Sequence, residues 1–203
     1  MKLFKTPRFF KWIFPRRTWG FSRFKNTVYL TFDDGPNPEI TPWILDYLKE
    51  QNIIATFFCV GTNIIKYPKL YQRIISEGHK VGNHTMNHEK SKNVSFKEYG
   101  ASIYQAGQLV NNKLFRPPYG RINSLKSYKL SKDYKIIMWS WLSYDFDENV
   151  PISTILDKAQ KQIKAGDIIV LHDNIKVKQR MVTLLPELIE IIKIKGFHFC
   201  GIE

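Results

Sequence analysis

Cysteine is scarce. Cys59 and Cys200 are the only two in 203 residues, too few for a disulfide framework, and each lies in an apolar run that predicts a buried free thiol. Long apolar runs are missing as well: Ile168-Ile169-Val170-Leu171 is the longest late one, far short of the roughly 18–20 residues that cross a bilayer, which excludes a transmembrane helix. No internal repeat, low-complexity tract or linker interrupts the chain. Its 43% apolar and 24% charged residues are those of a globular protein with one full core, not of a disordered or fibrous chain.

Acidic residues are absent from positions 1–25, which hold eight basic side chains: Lys2, Lys5, Arg8, Lys11, Arg16, Arg17, Arg23 and Lys25. They account for most of the formal charge of +13 and leave only +5 for the rest of the chain, so no nucleic-acid partner is expected. The leader also carries Phe9, Phe10, Trp12, Phe14 and Trp19, but in runs too short and too charged for a secretory signal. A cytoplasmic or peripheral membrane location is the default expectation. Interleaved basic and aromatic groups suit contact with an anionic membrane surface, or a segment that packs its rings on the domain and leaves its charges in water; the second is favoured. Residues 1–25 are thus expected to form an arm and residues 26–203 the domain.

From residue 28 onward, short β-rich runs alternate with longer segments of helical period, which indicates an α/β fold. Strands are expected over 28–32, 54–60, 80–82, 114–115, 136–139, 168–171 and 197–200. One helix runs from Thr41 to about Glu50, with Thr41 as N-cap and Pro42 at the first helical position. A second opens at Pro68, presents Leu70, Ile74 and Ile75 on one face, and ends at Gly78 in the left-handed conformation. Ser95-Phe96-Lys97-Glu98 is a capping box for a helix to about 111, with Phe96, Ile103 and Leu109 on its apolar face. Helices over 152–164 and 177–195 follow, the last bent or restarted at Pro186. A full eightfold barrel takes about 250 residues, so the pattern predicts a distorted (β/α) barrel of about seven parallel strands, or an open doubly wound sheet. Either places a site at the carboxyl ends of the strands.

The chemistry-bearing residues fall at those ends. His84-Thr85-Met86-Asn87-His88 sets two imidazoles four apart, on one face if the segment makes a helical turn, as two ligands of one cation require. Asp34 is the candidate third ligand. Adjacent Asp33 and Asp34 would raise one another's pKa unless their roles differ. A cation on Asp34 would neutralise that charge and leave Asp33 ionised as a general base toward water. Asp, Gly and Pro equally make a plain turn, and paired histidines also occur as solvated or capping groups, so these residues alone leave both readings open. His79 and His198 read as packing or surface histidines. Trp43, Trp139 and Trp141 read as core or groove wall.

Thr31-Phe32-Asp33-Asp34-Gly35-Pro36, His84-Thr85-Met86-Asn87-His88, Arg116-Pro117-Pro118-Tyr119, Ser143-Tyr144-Asp145-Phe146 and Leu171-His172-Asp173 resemble, in order, the five motifs of the polysaccharide deacetylases, also called carbohydrate esterase family 4 or the NodB-homology domain. The resemblance covers about residues 27–202. It implies a divalent cation, commonly zinc, on Asp34, His84 and His88, with Asp33 as general base and Thr85 steadying the histidine loop. It further implies that Arg116 pairs with the base, that the Tyr119 backbone N–H donates to the oxyanion, and that His172 is the general acid oriented by Asp145. Leu171 would line the acetyl pocket. Phe146 stands where the family usually has tryptophan, which keeps an apolar wall but removes an indole N–H.

The reaction so implied is metal-dependent removal of an acetyl group from an N-acetylated sugar, oligomeric or polymeric, such as chitooligosaccharide or peptidoglycan glycan. Phe146 and the missing secretion signal favour an alternative on the same machinery, hydrolysis of an O-acetyl ester, a formamide or a small cyclic amide. A non-catalytic basic binding protein is the contrasting class. The oligomeric state is left open.

Overall fold

The structure, a computed structural model, describes residues 2–203. The elements run α1 (Phe10–Ile13), β1 (Arg17–Thr18), β2 (Thr27–Asp33), α2 (Thr41–Glu50), β3 (Thr56–Cys59), α3 (Gly61–Lys66), α4 (Pro68–Ser76), β4 (Lys80–Asn83) and α5 (Phe96–Val110). They continue with β5 (Leu114–Phe115), α6 (Ser124–Leu130), β6 (Lys135–Ile137), β7 (Trp141–Leu142), α7 (Ile152–Gln162), β8 (Ile168–His172), α8 (Lys178–Ile194) and β9 (His198–Phe199). One sheet has the order β1-β6-β5-β4-β3-β2-β8-β7, with every pair parallel, and β9 pairs alongside β2. This is the expected distorted (β/α) barrel. Its central strands are buried on both faces, as parallel strands covered by helices must be. Phe32 and Phe57 stack with centroids 5.0 Å apart in the core.

The leader is woven into this sheet. Lys5 bridges Trp141 on β7 and Leu142 donates to the Phe4 carbonyl at 2.9 Å, while Arg17 and Thr18 pair with β6. Residues 4–6 and β1 thereby reach the two edges of the sheet. Phe10, Phe14 and Trp19 pack with Phe115 and Met138. Not all of its charges are solvated: Lys5 pairs with Asp167, and buried Arg17 donates to the Ile122 carbonyl at 2.8 Å.

Several local expectations need correction. Thr41 is the first helical residue of α2, not its cap, because its hydroxyl is engaged by Asp173 and by the Asn37 N–H. Helix α8 runs through Pro186 without a restart, since its apolar stripe of Met181, Leu184, Leu185, Leu188, Ile189 and Ile192 stays buried along the whole length. In α4 the inner face is Leu70, Tyr71 and Ile74, with Ile75 exposed, and Phe96 at the start of α5 is exposed as well. Cys59 is buried, but Cys200 follows a two-residue strand at the sheet margin and is exposed. The Ser95–Glu98 box and the left-handed Gly78 are as expected.

Candidate active site and metal centre

Strand register builds the site. Asp33 ends β2 directly opposite His172 at the end of β8, and Asn83 ends β4 beside Phe115 of β5, so His84 and Arg116 leave neighbouring strands together. These carboxyl ends open into a cavity of about 840 Å³ whose walls include Asp33, Asp34, His84, His88, Tyr119 and His172. The backbone is bent to make it. Asp34, Thr85, His88, Tyr119 and Tyr144 adopt φ between 57° and 85°, a left-handed conformation that side-chain-bearing residues other than Asn and Asp rarely hold unless the surroundings enforce it. The histidine segment is accordingly a turned loop, not the helical turn that its spacing allowed.

Asp34, His84 and His88 converge, their ligand atoms all within 4.8 Å of one another. Asp34 Oδ1 lies 3.0 Å from His88 Nε2 and 3.6 Å from His84 Nε2. His84 Nδ1 sits 2.7 Å from the Arg116 carbonyl; a carbonyl only accepts, so Nδ1 carries the proton and the Nε2 lone pair faces Asp34. Asn174 donates to Asp34 Oδ2 at 2.7 Å and Asn63 to the Asp34 carbonyl at 2.8 Å, leaving Oδ1 directed at the imidazoles. Burial acts to raise the Asp34 pKa, but the surrounding imidazoles of His84, His88 and His172 prevail and hold it below the usual carboxylate range. One carboxylate and two imidazoles, oriented and ionised in this way, fit a divalent cation with coordination positions to spare.

Two further pairs flank the cluster. Buried Arg116 donates through Nη1 to Asp33 Oδ1 and Thr31 Oγ1, both at 2.7 Å, and through Nη2 to the Met138 carbonyl at 3.1 Å. Its plane lies over the Phe58 ring at 4.1 Å. In the second pair, His172 Nδ1 meets Asp145 Oδ1 at 2.8 Å and the His172 N–H donates to Asp145 Oδ2 at 2.7 Å. Burial opposes protonation of His172, but the Asp145 charge and hydrogen bond prevail and raise its pKa to about 10. Asp145 thus favours the imidazolium form of His172.

Tyr119 lines the cavity, and its N–H takes no partner among the described residues; its exposed ring lies 4.8 Å from that of His88. Phe146 packs edge-on against His172 at 5.1 Å and Trp139 forms another part of the wall. Leu171 is the exception. It is wholly buried in the main core and does not face the cavity, because side chains alternate along β8 and His172 takes the inward position; Val170 lines the wall instead, with Leu142. Trp43 stacks on Tyr47, Trp141 is core, and His79 is a buried packing histidine whose pKa burial pushes down to about 4. His198 is exposed.

Supporting residues were not assigned from the sequence. Buried Asp173 accepts from Gly35 N–H at 2.8 Å and Thr41 hydroxyl at 2.7 Å, clamping the turn that aims Asp34. Asn83 accepts from Thr85 N–H at 2.8 Å, and the Ser143 hydroxyl donates to Asp145 at 2.8 Å. Thr31, Ser143 and Asp173 lie inside the recognisable motifs, whereas Asn63 carries no sequence signal at all.

The polysaccharide deacetylase family model matches residues 22–136. The chain is 34% identical over 194 residues to a peptidoglycan-N-acetylglucosamine deacetylase of Bacillus cereus, covering 92% of this chain and 91% of that one. It is 32% identical over 166 residues to a chitooligosaccharide deacetylase of Bradyrhizobium sp., covering 78% and 75%. The crystal structure of the Bc1960 peptidoglycan N-acetylglucosamine deacetylase, in complex with 4-naphthalen-1-yl-N-oxidanyl-benzamide, superimposes with a TM-score of 0.88 at 33% identity, over 97% of this chain and 95% of that one.

Proposed function

The chain belongs to the polysaccharide deacetylase family, and on that premise we propose that it removes the N-acetyl group from glucosamine units of a glycan, using a divalent cation on Asp34, His84 and His88. The observation that carries this is one cavity lined by the three-ligand cluster together with Asp33, paired to buried Arg116, and His172, paired to buried Asp145. The ligand set favours zinc. A cation held there supplies Lewis acidity, polarising the acyl oxygen and making water easier to deprotonate.

The chain's own residues do the rest. Asp33, kept ionised and aimed by Arg116, takes the proton of the attacking water. The Tyr119 N–H faces the oxygen on which charge develops as the tetrahedral carbon forms. His172, protonated and held by Asp145, gives its proton to the amide nitrogen as the C–N bond breaks, so acetate and a free amine leave. Val170, Leu142, Trp139 and Phe146 form the apolar wall for the acyl group and sugar.

Charge at the cavity mouth bears on the glycan. Lys90, Lys92, Arg121 and Lys176 stand around it, and its acidic lining is Asp33 and Asp34, both already engaged. That balance supports a substrate bearing carboxylates, as peptidoglycan does, over neutral chitooligosaccharide. Acetate release should be measured with zinc or cobalt on both substrates; Asp33→Asn should abolish it, and undiminished release in that variant would refute the assigned base.

A further inference from the structure

A second exposed surface has a composition that the catalytic site does not use. Trp12 and Ile13 of α1 are 83% and 59% exposed, and Leu125 of α6 is 63% exposed. The two elements adjoin, since Ile13, Phe14, Arg16 and Arg17 share a shallow cleft with Ser124 and Ser127. Exposed Tyr128, one turn from Leu125, lies beneath two cations, with Arg16 at 4.6 Å and Lys132 at 5.5 Å from its ring centroid. Exposed Phe96 in turn carries Lys129 at 4.6 Å. The result is an exposed apolar and aromatic belt on α1, α6 and the start of α5, interleaved with Arg16, Lys129 and Lys132.

Neither half of this belt is spent inside the protein. Arg16, Lys129 and Lys132, like Arg8 and Lys11 beside Trp12, form no salt bridge among the described residues. This distinguishes them from Lys2, Lys5 and Arg17 of the same leader, which are tied to Asp147, Asp167 and the Ile122 carbonyl. Of the carboxylates close in sequence, Glu98 is engaged in its capping box and Asp133 stands alone among several lysines. A soluble polyanion would be met by the cations, with aromatic faces used for stacking at most, and has no use for an exposed isoleucine and leucine. A bilayer surface uses both: aromatic and aliphatic groups enter the headgroup boundary while flanking cations meet anionic lipid.

We propose that Trp12, Ile13, Leu125 and Tyr128, with Arg16, Lys129 and Lys132, form a peripheral docking surface for an anionic lipid bilayer. The surface is separate from the deacetylase cavity, so docking and hydrolysis are independent properties of the chain. The test is flotation of the full chain with phosphatidylglycerol–phosphatidylcholine vesicles. Wild type should float with these vesicles at low salt, detach at high salt, and fail to float with phosphatidylcholine alone. Brominated lipid should quench a component of the tryptophan fluorescence that is missing from Trp12→Ser. The pair Trp12→Ser/Ile13→Ser and the pair Arg16→Glu/Lys132→Glu should each weaken vesicle binding, the second by roughly tenfold or more, with unchanged melting temperature and unchanged acetate release from a soluble substrate. The proposal is overturned if wild type does not bind the anionic vesicles, or if both variant pairs bind them as well as wild type. It is equally overturned if a soluble polyanion such as heparin is bound as tightly and brominated lipid leaves Trp12 unquenched.

Discussion

Asp145 grips His172 twice, accepting from its ring Nδ1 through one carboxylate oxygen at 2.8 Å and from its backbone N–H through the other at 2.7 Å. The ring cannot rotate without breaking the first contact, and the strand end cannot shift without breaking the second. Orientation and charge of the proposed acid thus come from one buried side chain.

Removing that charge moves a titration. His172 is raised to about 10 in the face of burial, chiefly by Asp145 and in smaller part by Asp34 and Asp33, so the acid form is present below that value and is lost as pH rises through it. A cation on Asp34 cancels the Asp34 share and lowers the limb, while the Asp145 share remains. Asp145→Asn should shift the alkaline limb of the kcat profile to lower pH and reduce kcat by about 10²–10⁴-fold. A pH–rate profile with the His172 imidazole followed by NMR checks both.

The Asp33–Arg116 pair should show the asymmetry of buried ion pairs. Arg116→Met leaves Asp33 as an uncompensated buried charge and should cost about 3–5 kcal/mol in denaturant unfolding. The double change Asp33→Asn/Arg116→Met should recover a substantial part of that stability but none of the activity.

Two glycines make opposite predictions for one substitution. A Cβ on Gly35 would sit 1.9 Å from Asp173 Oδ2, so Gly35→Ala must displace the carboxylate that clamps the Asp34 turn; it should lower both melting temperature and metal affinity. Gly100, inside α5, has nothing within 4 Å of the same position, and Gly100→Ala should stabilise by roughly 0.5–1 kcal/mol. Calorimetry with and without zinc separates the two effects.

Val170 and Leu171 divide wall from core. Val170→Phe should fill the acyl side of the cavity and impair kcat/KM with little change in unfolding free energy. Leu171→Ala should cost about 2–5 kcal/mol through the cavity that it leaves. Steady-state kinetics beside urea unfolding distinguishes these outcomes, and the reverse assignment would restore Leu171 as the lining residue.

Much of this arrangement was legible in the chain. Parallel strands buried on both faces read as apolar runs, and their polar ends mark the loops where Asp33, Asp34, His84, His88, Arg116, Asp145 and His172 stand. The short elements β7 and α6 were not legible, because two and seven residues carry too little periodicity of their own, whereas the equally short β5 was marked by its apolar pair Leu114-Phe115 just before Arg116. Asn63 and Asn174 were invisible for a different reason: their contacts with Asp34 depend on which loops the barrel brings together, and no local spacing encodes that.

Residue type and order by themselves determined the α/β class, the capping of α5 and the chemical inventory of the site, since these follow from local propensity and from the donor chemistry of each side chain. Only the tertiary structure decided that the histidine loop is held left-handed, that Asp173 clamps Gly35, and that Val170 rather than Leu171 faces the cavity. It also decided that the basic leader binds to both margins of the sheet while leaving Trp12 in solvent. Such outcomes depend on strand register and on contacts between residues distant in sequence, which exist only once the chain has closed on itself.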